Sequence, residues 1–148
     1  MIPALITPES GLPGVLPPGV HETTLSDLRA AFGWSLRRKW LLEGLDIALT
    51  DLLRADCRRI YMGGGFVTSA DDPDDYDGCW DPVGVNRKML HRMYHEMPTM
   101  KIAQKAHHRG ELWMGNHQIP GFDSAIKFFQ IDTRRGITKK GILAISIA

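Results

Sequence analysis

Apolar residues recur at helical spacing in the first third of the chain, and this pattern predicts two helices. Thr24 is a good N-cap residue and Gly33 a good stop, so we expect a short helix between them. A longer helix is predicted from about Ser35 to Ala55, because one face of this segment is apolar. The residues of that face are Leu41, Leu45, Ala48, Leu49 and Leu52.

A further helical region is predicted after Pro82. Apolar residues recur there every four positions until Pro98 ends the pattern; they are Val85, Met89, Met93 and Met97. A second amphipathic helix is predicted for residues 99–108. Residues 109–124 are rich in Gly, Asn and Pro, and are therefore predicted to form a loop.

Four short segments have the pattern of β-strands. Residues 60–62 are apolar and precede three glycines, and a second strand is predicted to open at Asp75. Residues 125–131 are predicted as a third strand, and residues 142–147 form the near-continuous apolar run of a buried strand. This order of elements predicts an α/β or α+β domain, in which helices flank a small mixed sheet.

The first 22 residues contain five of the nine prolines and several glycines, which exclude a helix there. We therefore divide the chain into an extended arm, residues 1–22, and a single domain, residues 23–148. Two interpretations of the arm remain open. It is a disordered tail, or its apolar residues pack across the domain or onto a neighbouring molecule.

Composition excludes several classes of protein. The 148 residues carry a net charge of +1, so charge alone indicates no nucleic-acid or membrane partner. No apolar run approaches the roughly 20 residues of a membrane span, and the N-terminus lacks the pattern of a secretory signal. Cys57 and Cys79 are the only cysteines and suggest no disulfide framework. We expect a cytoplasmic protein.

The candidate chemistry lies between residues 60 and 81. A strand leads into Gly63, Gly64 and Gly65, and Asp75 and Asp77 follow at the start of the next strand. Side chains two positions apart share one face of a strand, so the two carboxylates point the same way. Carboxylate oxygens are suited to Mg²⁺, which completes its shell with water and substrate phosphates. The pattern indicates a magnesium site.

This stretch resembles the active-site signature of the nucleotidyltransferase superfamily, the fold of DNA polymerase beta and of minimal bacterial nucleotidyltransferases. Its glycine pair fits either at residues 63–64 or, with the tighter spacer, at residues 64–65. The second register brings more of the chain into agreement with one uncharacterised bacterial group of this kind, from about residue 16 onward. That group commonly has Ser where this chain has Gly65. The matching segments are residues 16–21, 64–68, 75–77, 79–82, 128–130 and 140–142.

The resemblance implies a Mg²⁺-dependent enzyme that transfers a nucleoside monophosphate from an NTP to a hydroxyl group of a protein, RNA or small molecule. Asp75 and Asp77 would hold Mg²⁺, and a later strand would supply a third catalytic carboxylate. Asp132 is the first candidate for this role, with Asp123 and Asp81 behind it. The residues expected to contact the nucleotide phosphates are Gly64, Gly65, Thr68 or Ser69, and the cations Arg134, Arg135, Lys139 and Lys140.

Other functions remain open. Minimal enzymes of this superfamily often belong to toxin–antitoxin pairs, which suggests a partner protein. A non-catalytic member would keep the fold and act as a binding or regulatory subunit. Nucleic-acid binding through residues 37–39 and 134–140 is a third, weaker alternative.

Several known motifs fail in this sequence. The glycines are not followed by Gly-Lys-Ser/Thr, as a phosphate-binding loop would require, and no calcium-binding loop fits the acidic run. His91 and His95 are spaced to chelate a metal from one helix face, but no third ligand is implied. We expect these two histidines, together with His107 and His108, at the surface.

Overall fold

The computed structural model describes residues 1–7, 11–133 and 138–148. These ranges form an α+β domain with a small mixed sheet, as the sequence predicts. The helices are α1 (Leu25–Phe32), α2 (Leu36–Arg54), α3 (Lys101–His108) and α4 (Ala125–Phe128). The strands are β1 (Gly19–Thr23), β2 (Arg59–Gly63), β3 (Tyr76–Trp80), β4 (Gly110–Met114), β5 (Ile131–Asp132), β6 (Thr138–Lys139) and β7 (Gly141–Ser146).

Five of the strands form one sheet in the order β1-β7-β2-β3-β4. Strand β7 is parallel to β1 and antiparallel to β2, β2 is antiparallel to β3, and β3 is parallel to β4. Strands β5 and β6 pair separately as a short antiparallel ladder. The sheet therefore places β3, which opens beside Asp75, between β2 and β4.

Two apolar clusters cover the two faces of the sheet. Helices α1 and α2 pack with Ile60, Met62, Trp80 and Leu112 in the larger cluster. The smaller cluster joins α4 to Cys79 and Ile142 on the opposite face. Because side chains alternate along a strand, Asp77 and Cys79 of β3 share the α4 face.

The two N-terminal helices follow their sequence signals. The Thr24 hydroxyl accepts a hydrogen bond from the Asp27 N–H at 3.0 Å, and the Ser35 hydroxyl accepts one from the Arg38 N–H at 3.1 Å. These bonds satisfy N–H groups that have no partner within the helix. The predicted apolar face of α2 is buried throughout.

The helix predicted after Pro82 is wrong. Residues 87–89 and 92–94 form two short 3₁₀ turns instead. Local side chains satisfy backbone N–H groups there: the Asp81 carboxylate accepts from Val83 N–H, and His91 Nδ1 accepts from Met93 N–H, each at 3.0 Å. Such bonds compete with the regular pattern of a helix.

The strand predicted over residues 125–131 is also wrong, because residues 125–128 form α4. The Ser124 hydroxyl caps this turn by accepting a hydrogen bond from the Lys127 N–H at 3.2 Å. Ala125 and Phe129 are buried one helical turn apart. The loop predicted over residues 109–124 needs a correction as well, since its first part forms β4.

The described part of the predicted arm lies against the domain. Val15 forms isolated bridges with Ile6 and Thr68, and both Val15 and Leu16 are buried. Strand β1 runs across the predicted boundary at residue 22 and pairs with β7. Among the described residues, no helix combines the length and apolar character needed to cross a membrane.

Candidate functional site

Three carboxylate side chains come together where β3 lies beside β4. Asp77 lies on β3, Glu111 on β4, and Asp75 immediately before β3. Asp75, Asp77 and Glu111 each offer an oxygen, and these oxygens all lie within 4.8 Å of one another. Asp77 and Glu111 are direct partners in the parallel β3–β4 register, which places their side chains on the same face. We call these three residues the carboxylate cluster.

Two lysines from one face of α3 approach this cluster. Lys105 Nζ lies 2.9 Å from Asp75 Oδ2, and Lys101 Nζ lies 3.6 Å from Glu111 Oε1. The two lysines are four residues apart and therefore neighbours on the helix surface. They partly neutralise Asp75 and Glu111, whereas Asp77 forms no ion pair with either lysine in the described part of the chain.

Asp77 is held in an environment that disfavours its charged form. Burial, followed by the negative charge of Asp75 and a hydrogen bond with Glu111, raises the pKa of Asp77 to about 8. Like charges in a confined space destabilise one another unless a proton or a cation joins them. A proton on Asp77 or a bound cation would relieve this repulsion.

The glycine turn borders Asp77 directly. Gly64 has a φ of 65°, and a Cβ at this position would lie 2.7 Å from Asp77 Oδ2. Glycine is required here both by backbone conformation and by the close approach of the carboxylate. At Gly65, by contrast, an added Cβ would meet no atom within 4 Å. Gly65 is thus the open position of the turn.

A cavity of about 230 Å³ adjoins the cluster and the turn, and we call it the carboxylate cavity. Lys140, predicted to bind phosphate, lies in its wall together with Lys101 and Trp113. The structure thus brings together Gly64, Asp77 and Lys140 from the sequence prediction. The remaining lining residues are Glu111, Phe128, Phe129, Ile131 and Thr133.

The two hydroxyl residues predicted to touch phosphate lie on the loop after the turn. Thr68 is buried, and its hydroxyl donates to the Gly65 carbonyl at 2.6 Å and accepts from the Ala70 N–H at 3.1 Å. The Ser69 hydroxyl accepts from the Gly14 N–H at 2.7 Å. These bonds hold the loop and fasten the N-terminal segment to it.

Two arginines at the start of α2 hold the same loop from the other side. The buried guanidinium of Arg38 donates to the carbonyls of Phe66, Thr68 and Ala70 at 2.6–2.9 Å, and Arg37 donates to the carbonyls of residues 73 and 74. Burial lowers the pKa of Arg38 to about 10, so it remains charged at neutral pH. The arginines thereby fix the segment that joins the glycine turn to Asp75.

None of the carboxylates predicted as third catalytic residues belongs to the carboxylate cluster, although Ile131 and Thr133 on either side of Asp132 line the carboxylate cavity. Asp132 is buried in β5 and is not part of the carboxylate cluster. Asp123 lines a separate surface cavity with Gln118 and Pro120, and Asp81 binds the Val83 N–H after β3. Arg134 and Arg135 lie outside the described residues.

Sequence reasoning missed Glu111, the third member of the carboxylate cluster. Residues 110–114 alternate between the two faces of the sheet, with Leu112 fully buried among the helices. The only sequence signal is this short alternation in a glycine-rich segment that was predicted as loop. A five-residue strand recognised there would have placed Glu111 beside Asp77.

One of the four histidines predicted at the surface is buried. His108 is completely inaccessible, and its Nδ1 lies 2.5 Å from the Tyr76 hydroxyl. Its Nε2 lies 3.0 Å from Gln104 Oε1, an oxygen that also accepts from the Leu112 N–H at 2.7 Å. This network ties α3 to the two strands that carry Asp77 and Glu111.

The sequence places the chain in one family. It belongs to the family of unknown function DUF6932, which it matches over residues 8–146. No curated protein and no solved structure matches the chain.

Proposed function

We propose that this member of DUF6932 is a Mg²⁺-dependent nucleotidyltransferase that transfers a nucleoside monophosphate from an NTP to a hydroxyl group. One observation carries the proposal: Asp75, Asp77 and Glu111 converge beside the glycine turn. The resemblance between residues 64–77 and the superfamily signature supports the same reaction.

The carboxylate cluster fits Mg²⁺ by its chemistry. All three side chains offer the hard oxygen ligands that Mg²⁺ prefers, and these oxygens lie within 4.8 Å of one another. We assign Asp75, Asp77 and Glu111 as its ligands. When bound, Mg²⁺ would neutralise the phosphate charge and polarise the α-phosphorus.

Residues of this chain contact the triphosphate and accept the proton of the acceptor hydroxyl. Gly64 lines the carboxylate cavity without a side chain and lets the triphosphate approach the backbone, and Lys140 lines the same cavity as a cation for the phosphate oxygens. The acceptor oxygen bonds to the α-phosphorus while the bond from that phosphorus to the α–β bridging oxygen breaks. Pyrophosphate leaves with the electron pair, and Glu111 accepts the acceptor's proton.

A second candidate is a non-catalytic binding or regulatory protein with the same fold. The ion pairs of Lys105 with Asp75 and of Lys101 with Glu111 favour it, because ammonium groups can replace a metal ion in balancing the cluster. On this alternative, Mg²⁺ would not displace the lysines. Nucleotides would not bind in a metal-dependent way.

Calorimetric titration distinguishes the two candidates. The full chain is titrated with ATP, GTP, CTP and UTP, with and without Mg²⁺, beside the double variant Asp75→Asn/Asp77→Asn. The matched control is Asp71→Asn/Asp72→Asn, which makes the same two substitutions at exposed positions outside the cluster.

The enzyme proposal expects Mg²⁺-dependent binding of at least one NTP, lost in the site variant and kept in the control. Equal loss in both variants would show that the effect is general electrostatics. Absence of Mg²⁺-dependent binding by the wild-type chain would overturn the proposal in favour of the second candidate.

A further inference from the structure

A second cavity of about 440 Å³ lies next to the carboxylate cavity, and we call it the lysine cavity. Ligand sites typically enclose about 300–1,000 Å³, so its size suits a small molecule. Its position is fixed by Ile131 and Lys140, which line both cavities. The other lining residues are Pro18, Gly19, Phe122, Lys127, Gln130 and Lys139.

The charge of the lysine cavity has one sign. Lys127, Lys139 and Lys140 line it, whereas no carboxylate does so among the described residues. Within the same part of the chain, Lys127 and Lys139 form no salt bridge. The ammonium groups of Lys127 and Lys139 line one concave surface and repel each other, and an anion placed between them removes that repulsion.

Three different segments build this arrangement. Lys127 lies on α4, Lys139 on β6 and Lys140 immediately before β7. The Lys140 N–H donates to the Gln130 carbonyl at 2.9 Å, which joins the last two of these segments to the chain after α4. Phe122 and Ile131 add apolar wall, so the cavity offers both anion-binding and apolar contacts.

We propose that the lysine cavity binds a phosphate-bearing ligand beside the carboxylate cluster. The carboxylates and the lysines form adjoining regions of opposite charge, joined at Lys140. A molecule whose phosphate lies among the lysines can reach the cluster with its other end. The phosphate belongs to a phosphorylated acceptor or to the pyrophosphate part of the donor; that role rests on the proposed function, whereas phosphate binding itself does not.

The test uses inorganic pyrophosphate without metal, titrated into the full chain by calorimetry. The variant Lys127→Gln/Lys139→Gln removes the two lysines that lie only in the lysine cavity. The matched control is Lys39→Gln/Lys88→Gln, which removes two exposed lysines elsewhere.

We expect pyrophosphate affinity to fall at least tenfold in Lys127→Gln/Lys139→Gln, and to remain within twofold of wild type in the control. Absence of pyrophosphate binding, or an equal fall in variant and control, would overturn the inference. Because this readout is metal-free, it stands even if the nucleotidyltransferase proposal fails.

Adding ATP and Mg²⁺ identifies the source of the phosphate. Competition between ATP and pyrophosphate assigns the lysine cavity to the donor's pyrophosphate part. Simultaneous binding, with a pyrophosphate affinity still sensitive to Lys127→Gln/Lys139→Gln, assigns it to a phosphorylated acceptor. Either result supports a phosphate site.

Discussion

Acidification is expected to destabilise the protein through His108. Burial, reinforced by the neighbouring His107, lowers the pKa of His108 from 6.5 to about 4. In the folded chain the neutral ring contacts Tyr76 and Gln104 through its two nitrogens. The unfolded chain therefore binds a proton at a higher pH than the folded chain does.

The size of the effect follows from the two pKa values. Each pKa unit corresponds to about 1.4 kcal/mol, so the full contribution is about 3 kcal/mol. It is fully present above pH 6.5 and is lost as the pH falls towards 4. Between pH 7 and pH 5 the free energy of unfolding should fall by about 2 kcal/mol on account of His108 alone.

Urea denaturation at pH 7 and pH 5 measures this loss. Comparison with His108→Gln removes the contribution of all other titrating groups, and His91→Gln serves as the control at an exposed histidine. Wild type and His91→Gln should lose about 2 kcal/mol more than His108→Gln over this interval. Parallel pH dependence of wild type and His108→Gln would refute the reasoning.

Three further predictions concern the candidate site. Gly64→Ala should lower the free energy of unfolding by at least about 1–3 kcal/mol in urea titrations, because its φ of 65° and ψ of −162° suit only glycine and its Cβ would crowd Asp77. Gly65→Ser should leave the free energy of unfolding unchanged and, on the proposed function, tighten NTP binding in calorimetry; equal destabilisation by both variants would contradict the geometry. Arg38→Met should cost at least about 3 kcal/mol in the same urea assay, because four carbonyls, three of them buried, lose their donor; a change below 1 kcal/mol would contradict this role. Glu111→Gln should abolish Mg²⁺-dependent nucleotide binding in calorimetry while Asp132→Asn preserves it, and the reverse result would restore Asp132 as the third carboxylate.

Local signals in the sequence were sufficient to predict the helices that begin at a capping residue. Thr24 and Ser35 begin α1 and α2, and their caps need nothing beyond neighbouring N–H groups. The glycine run and the Asp75–Asp77 spacing likewise located the turn and β3. For these segments, local chemistry and the final structure agree.

The errors arose where tertiary contacts decide between alternatives. Residues 125–131 contain apolar side chains that suit a strand or a helix, and the Ser124 cap with the burial of Ala125 and Phe129 selects the helix. Residues 110–114 become a strand because β3 offers them a parallel partner. Glu111 could not be placed beside Asp77 until that pairing was known.

The position of β7 has a consequence for how the chain acquires its structure during synthesis. This strand lies between β1 and β2, although about 120 residues separate it from β1 and about 80 from β2. Until residues 141–146 leave the ribosome, β1 and β2 lack their shared neighbour, and their backbone hydrogen-bonding groups stay open to other chains. The edges of β1 and β2 that face β7 therefore remain unpaired in the nascent chain until β7 has been translated.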